Sequence, residues 1–330
     1  MKLVMTLLVR DEADIVDAQI AFHLDAGVDF VVATDNRSED GTTEILERYA
    51  RDGYLHLIRE PGDDLRQSEW VTRMACLAAV EFGADWILNT DADEFWWPRG
   101  GDFRALFAAV PDRYGVVRAA WRNFVPRPDD DRFFADRMLA RLCDPSFHPH
   151  PLSIHFKSAH RGVADVRIGR GNHEAFGHGL VALRGWYPIE ILHFPVRSLE
   201  HCLRKYITQF VALERNAEKG IPGHMADAHR AYRAGSLEDF YAPLVVDDAA
   251  LERRIERREL AIDTRLRDRL AGLGFGAGAG AGFTLPDPTV LEDAVYAGEF
   301  SALQEADLGL AFATRVDDLE GRLARLEWLA

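Results

Sequence analysis

Cysteine is scarce in this chain, with three in 330 residues: Cys76, Cys143 and Cys202. An odd number at such wide spacing makes neither a disulfide framework nor a zinc-ligand pattern. It reads as reduced, buried thiols of a cytoplasmic protein. Long apolar runs are missing too. The opening run meets Arg10 and Asp11 too early for a signal peptide or a membrane span, and no later run approaches that length. Net positive charge is absent, since 54 acidic against 39 basic residues leave −15. So acidic a surface repels phosphate backbones and argues against nucleic acid as a partner, although local basic spots can still hold a small phosphorylated ligand. The basic residues are nearly all arginine, which reads as an effect of genome composition. No Gly-rich, cation-bearing phosphate loop follows the first apolar run, and no His-x-x-x-His spacing suits a helical zinc site.

What is present is an ordinary globular composition, 48% hydrophobic and 28% charged, long enough for one large domain or two smaller ones. Residues 3–9 form a short continuous apolar run, the pattern of a strand covered on both faces. Residues 14–26 follow with helical spacing and stop at Gly27. The alternation repeats: strand 30–34, a polar loop 35–42, a helix through Tyr49 capped by Thr42 or Thr43, strand 54–59, helix 68–82 and strand 85–90. Alternation at this pitch predicts βαβ units around a mostly parallel sheet, with ligands bound beyond the carboxyl ends of its strands. Three polar clusters fall at such ends: Arg10-Asp11-Glu12, residues 35–40, and Asp91-Ala92-Asp93-Glu94. Further strands are expected at 115–124, 154–156 and 189–194, and helices at 199–218 and 251–273. Residues 272–283 read as a Gly/Ala linker. The leucine spacing from 315 onward predicts a helix that docks on its own chain or on a second copy.

Asp91 and Asp93 stand two apart at the end of an apolar strand. Period-two geometry turns both carboxylates to one side as the chain leaves the sheet. Convergent carboxylates are costly unless a cation lies between them. Hard ions such as Mn²⁺ or Mg²⁺ take oxygen ligands and are commonly shared with a substrate diphosphate. His193, at the end of another apolar run, is the candidate third ligand. Glu94 points away from Asp93 and is placed either to orient a neighbour or to touch substrate.

The stretches Leu-Val-Arg-Asp-Glu-Ala-Asp-Ile (8–15), Asp-Asn-Arg-Ser-Glu-Asp-Gly-Thr (35–42), Asn-Thr-Asp-Ala-Asp-Glu-Phe (89–95) and Ile-Leu-His-Phe-Pro-Val-Arg-Ser-Leu-Glu (191–200) resemble, in order and spacing, family 2-like glycosyltransferases of the GT-A fold, in the branch with an Asp-Ala-Asp-Glu-Phe signature. The resemblance covers about residues 1–215. It implies a Rossmann-like α/β domain over 1–215, with a nucleotide-binding half to about residue 100 and an acceptor half beyond, then a helical extension 216–271, the linker 272–283 and a helical tail 284–330. It also implies a nucleotide-diphosphate sugar donor gripped by Arg10, Asp11 and Glu12 and by Asp35, Asn36, Ser38 and Asp40. Two departures are Asp11, where asparagine is common, and Arg37 in the usually serine-rich second loop. Asp91 is expected to face donor and metal alike. Arg66 and Arg73 are candidates for the donor phosphates, and Arg197 and Lys205 for a lid over them. His173 or Glu174, in a Gly-flanked loop, is the candidate base for the acceptor hydroxyl.

The expected reaction is a metal-dependent, inverting glycosyl transfer to a hydroxyl acceptor, such as a cell-surface glycan precursor or a small natural product. Two rivals stand beside it. A nucleotidyltransferase acting on a sugar phosphate uses a similar sheet and carboxylate-held metal, but normally carries the phosphate loop missing here. A non-catalytic carbohydrate- or sugar-nucleotide-binding protein would stack sugars on Trp86, Trp96, Trp97, Trp121 or Trp186.

Overall fold

The computed structural model describes residues 1–62, 66–143, 156–215 and 225–276. The linker beyond residue 276, the 284–330 tail with its docking or dimer contact, and His148, His150 and His155 lie outside the described residues.

The first half follows the strand–helix alternation read from the sequence. β1 (Leu3–Val9), α1 (Val16–Asp25), β2 (Phe30–Asp35), α2 (Thr42–Arg51), β3 (Leu55–Arg59), α3 (Gln67–Val80) and β4 (Trp86–Asp91) build a parallel sheet in the order β3-β2-β1-β4. The apolar runs of β1 and β4 are buried on both faces, as helix-covered parallel strands must be. α2 is not capped by Thr42 or Thr43. Its first cap residue is Gly41, at φ +100° with no side-chain cap bond. The Thr42 hydroxyl is committed elsewhere, donating to Asp40 at 2.6 Å and accepting from the Glu12 backbone N–H at 2.9 Å.

Beyond β4 the sheet becomes mixed. β5 (Glu94–Pro98), α4 (Phe103–Ala108), β6 (Val116–Asn123), α5 (Phe134–Arg137), β7 (Ala140–Leu142), β8 (Phe156–Arg161), β9 (Arg167–Ile168), β10 (Ala175–Phe176), β11 (Ala182–Leu183) and β12 (Ile189–His193) follow. The main sheet continues β4-β8-β6-β12-β5, with β8 antiparallel to both its neighbours and β12 parallel to β6. This is the mostly parallel, helix-flanked α/β architecture that the alternation and the GT-A resemblance predict.

β5 escaped the sequence reading, and it shapes the site. Only Ala92 and Asp93 separate β4 from β5, a link of about 11 Å at full stretch from Asp91 to Glu94. Yet β5 pairs at the far edge, four strand positions from β4, which a flat sheet would set about 19 Å away. The sheet must therefore curl back on itself. The end of β12, where His193 pairs with Glu94, comes round to the end of β4.

The C-terminal part comprises α6 (Leu199–Arg215), α7 (Ala226–Ala234), α8 (Leu237–Tyr241), α9 (Asp248–Glu256), β13 (Leu260–Ile262) and α10 (Arg265–Gly272). The continuous helix expected over 251–273 is broken. Arg258 takes a left-handed conformation (φ +58°), and Leu260–Ile262 pairs with β7, which buries Leu260 and Ala261. α10 is part of the main body, because Leu266 and Leu270 join the same core as Leu3, Leu88 and Ile191. No helix among the described residues is long and apolar enough to cross a membrane.

Candidate active site

Strand register sets the site. Val9 pairs with Asp35 and Leu8 with Asp91, so three strand ends lie level at one edge of the sheet. The polar clusters that follow β1, β2 and β4 therefore share a rim, and the curl adds His193 to it.

The acidic turn after β4 is held by two lysines. Asp91 accepts from Lys157 Nζ at 2.6 Å and from Asn172 Nδ2 at 3.2 Å. Asp93 accepts from Lys205 Nζ at 2.7 Å and faces His193 Nε2 at 3.7 Å. Burial alone would raise the pKa of Asp93, but Lys205 and His193 outweigh it and hold the carboxyl well below its usual range. Lys157, with a side chain only 1% exposed, also lies 3.0 Å from Glu94. Burial opposes its charge, yet Asp91 and Glu94 outweigh burial and raise its pKa. Glu94 is wholly buried and accepts from Trp121 Nε1 at 2.9 Å and from the Asp91 backbone N–H at 3.2 Å. Burial pushes Glu94 up against the pull of Lys157, and the nearby Asp91 charge adds to the rise. Glu94 thus orients Lys157 and Trp121 and lies outside the wall of the cavity.

That cavity, about 540 Å³, is walled by Asp91, Asp93, Trp121, Lys157, His173 and His193 among others, a size usual for small-ligand sites. A second pocket of about 190 Å³ adjoins it behind β1, between Arg10, Asp11, Glu12 and Asn36 on one side and α6 on the other, with Trp70 as an apolar wall. Arg10, Glu12 and Lys205 line both.

The structure sorts the other candidates. Asp35, Ser38 and Asp40 brace the rim and line neither cavity. Ser38 Oγ donates to Asp35 at 2.7 Å and accepts from the Asp11 N–H at 3.0 Å, while Asp40 accepts from the Ala13 N–H at 3.0 Å. Asp11 (φ +55°), Arg37 (φ +60°) and Asn172 (φ +59°) all hold the left-handed backbone that costs non-glycine residues energy, and all three sit in loops of this rim. Arg66 and Arg73 are half-exposed partners of Glu69 and Glu60 on the outside of α3 and line neither cavity, where Gln67 lies instead. Arg197 is no lid. Its side chain is 1% exposed and bonds bidentately to Asp14 at 2.6 and 2.7 Å and also to Glu12, so it fastens the loop after β1 to the chain entering α6. His173 lines the cavity; Glu174 does not. The His173 Nδ1–H donates to the Phe156 carbonyl at 2.7 Å, which fixes the orientation of the ring. Gly171 (φ +68°) makes room for this ring, since a Cβ there would lie 2.6 Å from Nε2.

Sequence reasoning missed Lys157, Asn172, Trp70, His201 and Arg204. α6 presents His201, Arg204 and Lys205 at helical spacing on one face, continuing from Arg197, toward Glu12, Asp40 and Asp93. That spacing of basic residues was the available signal. Of the tryptophans, Trp86 and Trp96 are core residues, Trp186 is partly exposed, and Trp121 alone of the five lines the cavity, stacked on His193 at 4.2 Å.

No protein-family model matches this chain, and no curated protein matches it. Solved structures do show similarity at low scores. TarS of S. aureus in complex with UDP-GlcNAc is 12% identical, with a TM-score of 0.38 over 64% of this chain and 65% of that one. A second TarS structure (residues 1–349) matches over 49% of this chain and 47% of its own, with TM-score 0.33 and 13% identity. Glucosyl-3-phosphoglycerate synthase from Mycobacterium tuberculosis, in complex with Mn²⁺, UDP and glucosyl-3-phosphoglycerate, is 13% identical, with TM-score 0.24 over 38% of this chain and 44% of that one. In each of these three matches the chain spans less than two thirds of the other structure's length.

The donors present suit a divalent ion. His193 Nδ1–H donates to Asn123 Oδ1 at 2.7 Å, which fixes the ring with its Nε2 toward Asp93 at 3.7 Å. Among the described residues no three His, Cys, Asp or Glu side chains converge on one point. Mg²⁺-type ions commonly take only one or two carboxylates and draw their remaining ligands from substrate phosphates and water.

Proposed function

We propose that this chain is a glycosyltransferase of the GT-A type that moves a sugar from a nucleotide-diphosphate donor to an acceptor hydroxyl with a divalent metal, Mn²⁺ or Mg²⁺, and with inversion. The observation that carries the reading is the joining of two cavities at the sheet edge. A small, partly apolar pocket suited to a nucleoside shares Arg10, Glu12 and Lys205 in its wall with a larger one lined by Asp91, Asp93, Lys157 and His173.

In this reading the nucleoside lies behind β1 against Trp70, with Asp11, Glu12 and Asn36 offering acceptors or donors to its polar edges. Asp93 and His193, with Asp91 beside them, would hold the ion, which when bound neutralises charge building on the departing diphosphate. Arg10 and Lys205 add positive charge at the same junction. Lys157 fixes Asp91 and leaves the sugar subsite lined by Trp121. His173 Nε2, its tautomer set by the Phe156 carbonyl, takes the proton of the acceptor hydroxyl. The acceptor is soluble or peripheral and the reaction cytoplasmic.

A thermal-shift screen of nucleoside diphosphates with and without Mn²⁺ tests the donor site, because a ligand of the native state raises its melting point. A melting point indifferent to every nucleotide rejects the reading. Product analysis then separates the chemistries. Release of a nucleoside diphosphate means glycosyl transfer, and release of pyrophosphate means the nucleotidyl alternative.

A further inference from the structure

One oxygen in this site has two claimants. Asp93 Oδ2 accepts from Lys205 Nζ at 2.7 Å, and the same atom faces His193 Nε2 at 3.7 Å. A carboxylate oxygen and an imidazole lone pair at that separation can share an ion whose bonds to each are about 2.0–2.2 Å. An ammonium seated on that oxygen places a unit positive charge within 2.7 Å of a ligand atom the ion would use. A monovalent and a divalent cation a few ångströms apart repel, which disfavours their sharing one ligand atom.

We propose that Lys205 and the divalent cation occupy Asp93 in alternation: the ammonium seats on Asp93 when the metal is away, and the arriving metal turns it toward the donor's phosphates. This rests on the metal-dependent reading above. The geometry gives Lys205 the freedom to move. Its side chain is 32% exposed, it projects from α6, and it lines both cavities, so its ammonium has a wet path from Asp93 to the junction where a diphosphate would lie. Its other bond, to the Pro195 carbonyl at 2.9 Å, is to a neutral acceptor. Lys157 has no such path. It is 1% exposed and bound by Asp91 and Glu94 together, and so belongs to the fixed frame. The exchange keeps Asp93 opposed by a cation through the cycle: the carboxylate is never left bare in a buried site, and the displaced ammonium becomes available to the phosphates.

The test is a Mn²⁺ titration without nucleotide, followed by the electron paramagnetic resonance of free Mn²⁺, on the parent and on Lys205→Met and Lys205→Gln. Both variants should bind Mn²⁺ at least tenfold more tightly, and at saturating Mn²⁺ should bind UDP or GDP at least tenfold more weakly. A second measurement uses the unaltered protein. Acylation of Lys205, read by mass spectrometry, should rise on adding Mn²⁺ and fall again when UDP or GDP is added with it. Equal or weaker Mn²⁺ binding in the variants, or labelling indifferent to Mn²⁺, overturns the exchange alone. If neither parent nor variants take up Mn²⁺, with or without UDP or GDP, the metal reading falls and the exchange falls with it.

Discussion

Replacing Lys157 by methionine keeps the volume of a buried side chain and removes its charge. Its ammonium lies 2.6 Å from Asp91 and 3.0 Å from Glu94, in a place only 1% exposed. At an effective dielectric of about 20, a pair 3.0 Å apart attracts by about 5 kcal/mol, most of it offset by desolvation. What remains after the substitution is the larger concern. Two carboxylates that bonded to one nitrogen now face each other about 5 Å apart, a repulsion of about 3 kcal/mol at the same dielectric. The expected loss is about 3–5 kcal/mol of unfolding free energy at pH 8, in the range for breaking a buried pair. The loss should shrink at pH 5. Removing the lysine frees Glu94 to rise further above its already raised pKa, and a protonated Glu94 no longer repels Asp91. Urea unfolding of the parent, K157M, E94Q and the double variant forms a cycle that isolates the pair. We expect a coupling of at least about 2 kcal/mol, with the double variant more stable than K157M. Additive effects, or a K157M deficit that does not change between pH 8 and pH 5, refute the reasoning.

Asp93→Asn, which keeps the shape of the side chain, should lower kcat/KM for transfer by at least about 10²-fold, and near-parental turnover would remove Asp93 from the chemistry. His173→Gln should lower kcat by about 10²–10⁴-fold with little change in KM for the donor and should abolish the acidic limb of the pH–rate profile; an unchanged limb excludes it as the base. Arg197→Met strands the largely buried Glu12 and should cost about 3–5 kcal/mol in urea unfolding, so a loss under about 1 kcal/mol would show that the clamp is incidental. His23 and His160 are fully buried, and burial pushes each imidazole down to about 4 from its ordinary 6.5. The unfolded chain then binds more protons than the native one between those values, so stability falls as pH drops from 6.5 toward 4, by up to about 1.4 kcal/mol per pH unit for each histidine. Urea midpoints at pH 7, 6 and 5 check this, and a flat profile contradicts it.

The sheet of the first ninety residues was legible because buried parallel strands write themselves as short apolar runs and their connections as amphipathic helices. That Asp91, Asp93 and His193 face one cavity was legible for a related reason, since they stand at or just beyond the ends of such runs, but their convergence on one point as three ligands is not seen among the described residues. The curl of the sheet was hidden, because β5 reads as a tail of acids and aromatics until its pairing with β12 is known. The braces were hidden as well. Asp35, Ser38 and Asp40 have the composition of a ligand loop, yet their hydrogen bonds go to the loop after β1 and to α2. Arg197 looked like a phosphate ligand because sequence shows charge and not burial. Lys157 left a trace that composition alone obscured. In a chain whose basic residues are nearly all arginine, a lysine marks a position where a compact ammonium fits and a planar guanidinium does not, and two of the chain's few lysines stand in this site.

The stripe on α6 has a consequence for the order in which the molecule is made. The loop after β1 finds its counter-charge 183 and 185 positions later, at Arg197, and Asp93 finds Lys205 112 positions later. A ribosome extends the chain through the whole parallel sheet before any of these cations emerges. Until then Glu12, Asp14 and Asp93 lack these counter-charges, and the pocket behind β1 lacks a wall. The nascent half-sheet can pair its strands but cannot yet close the pocket behind β1. The pocket therefore forms as a single late event, when one helix docks and supplies both the wall and the charge.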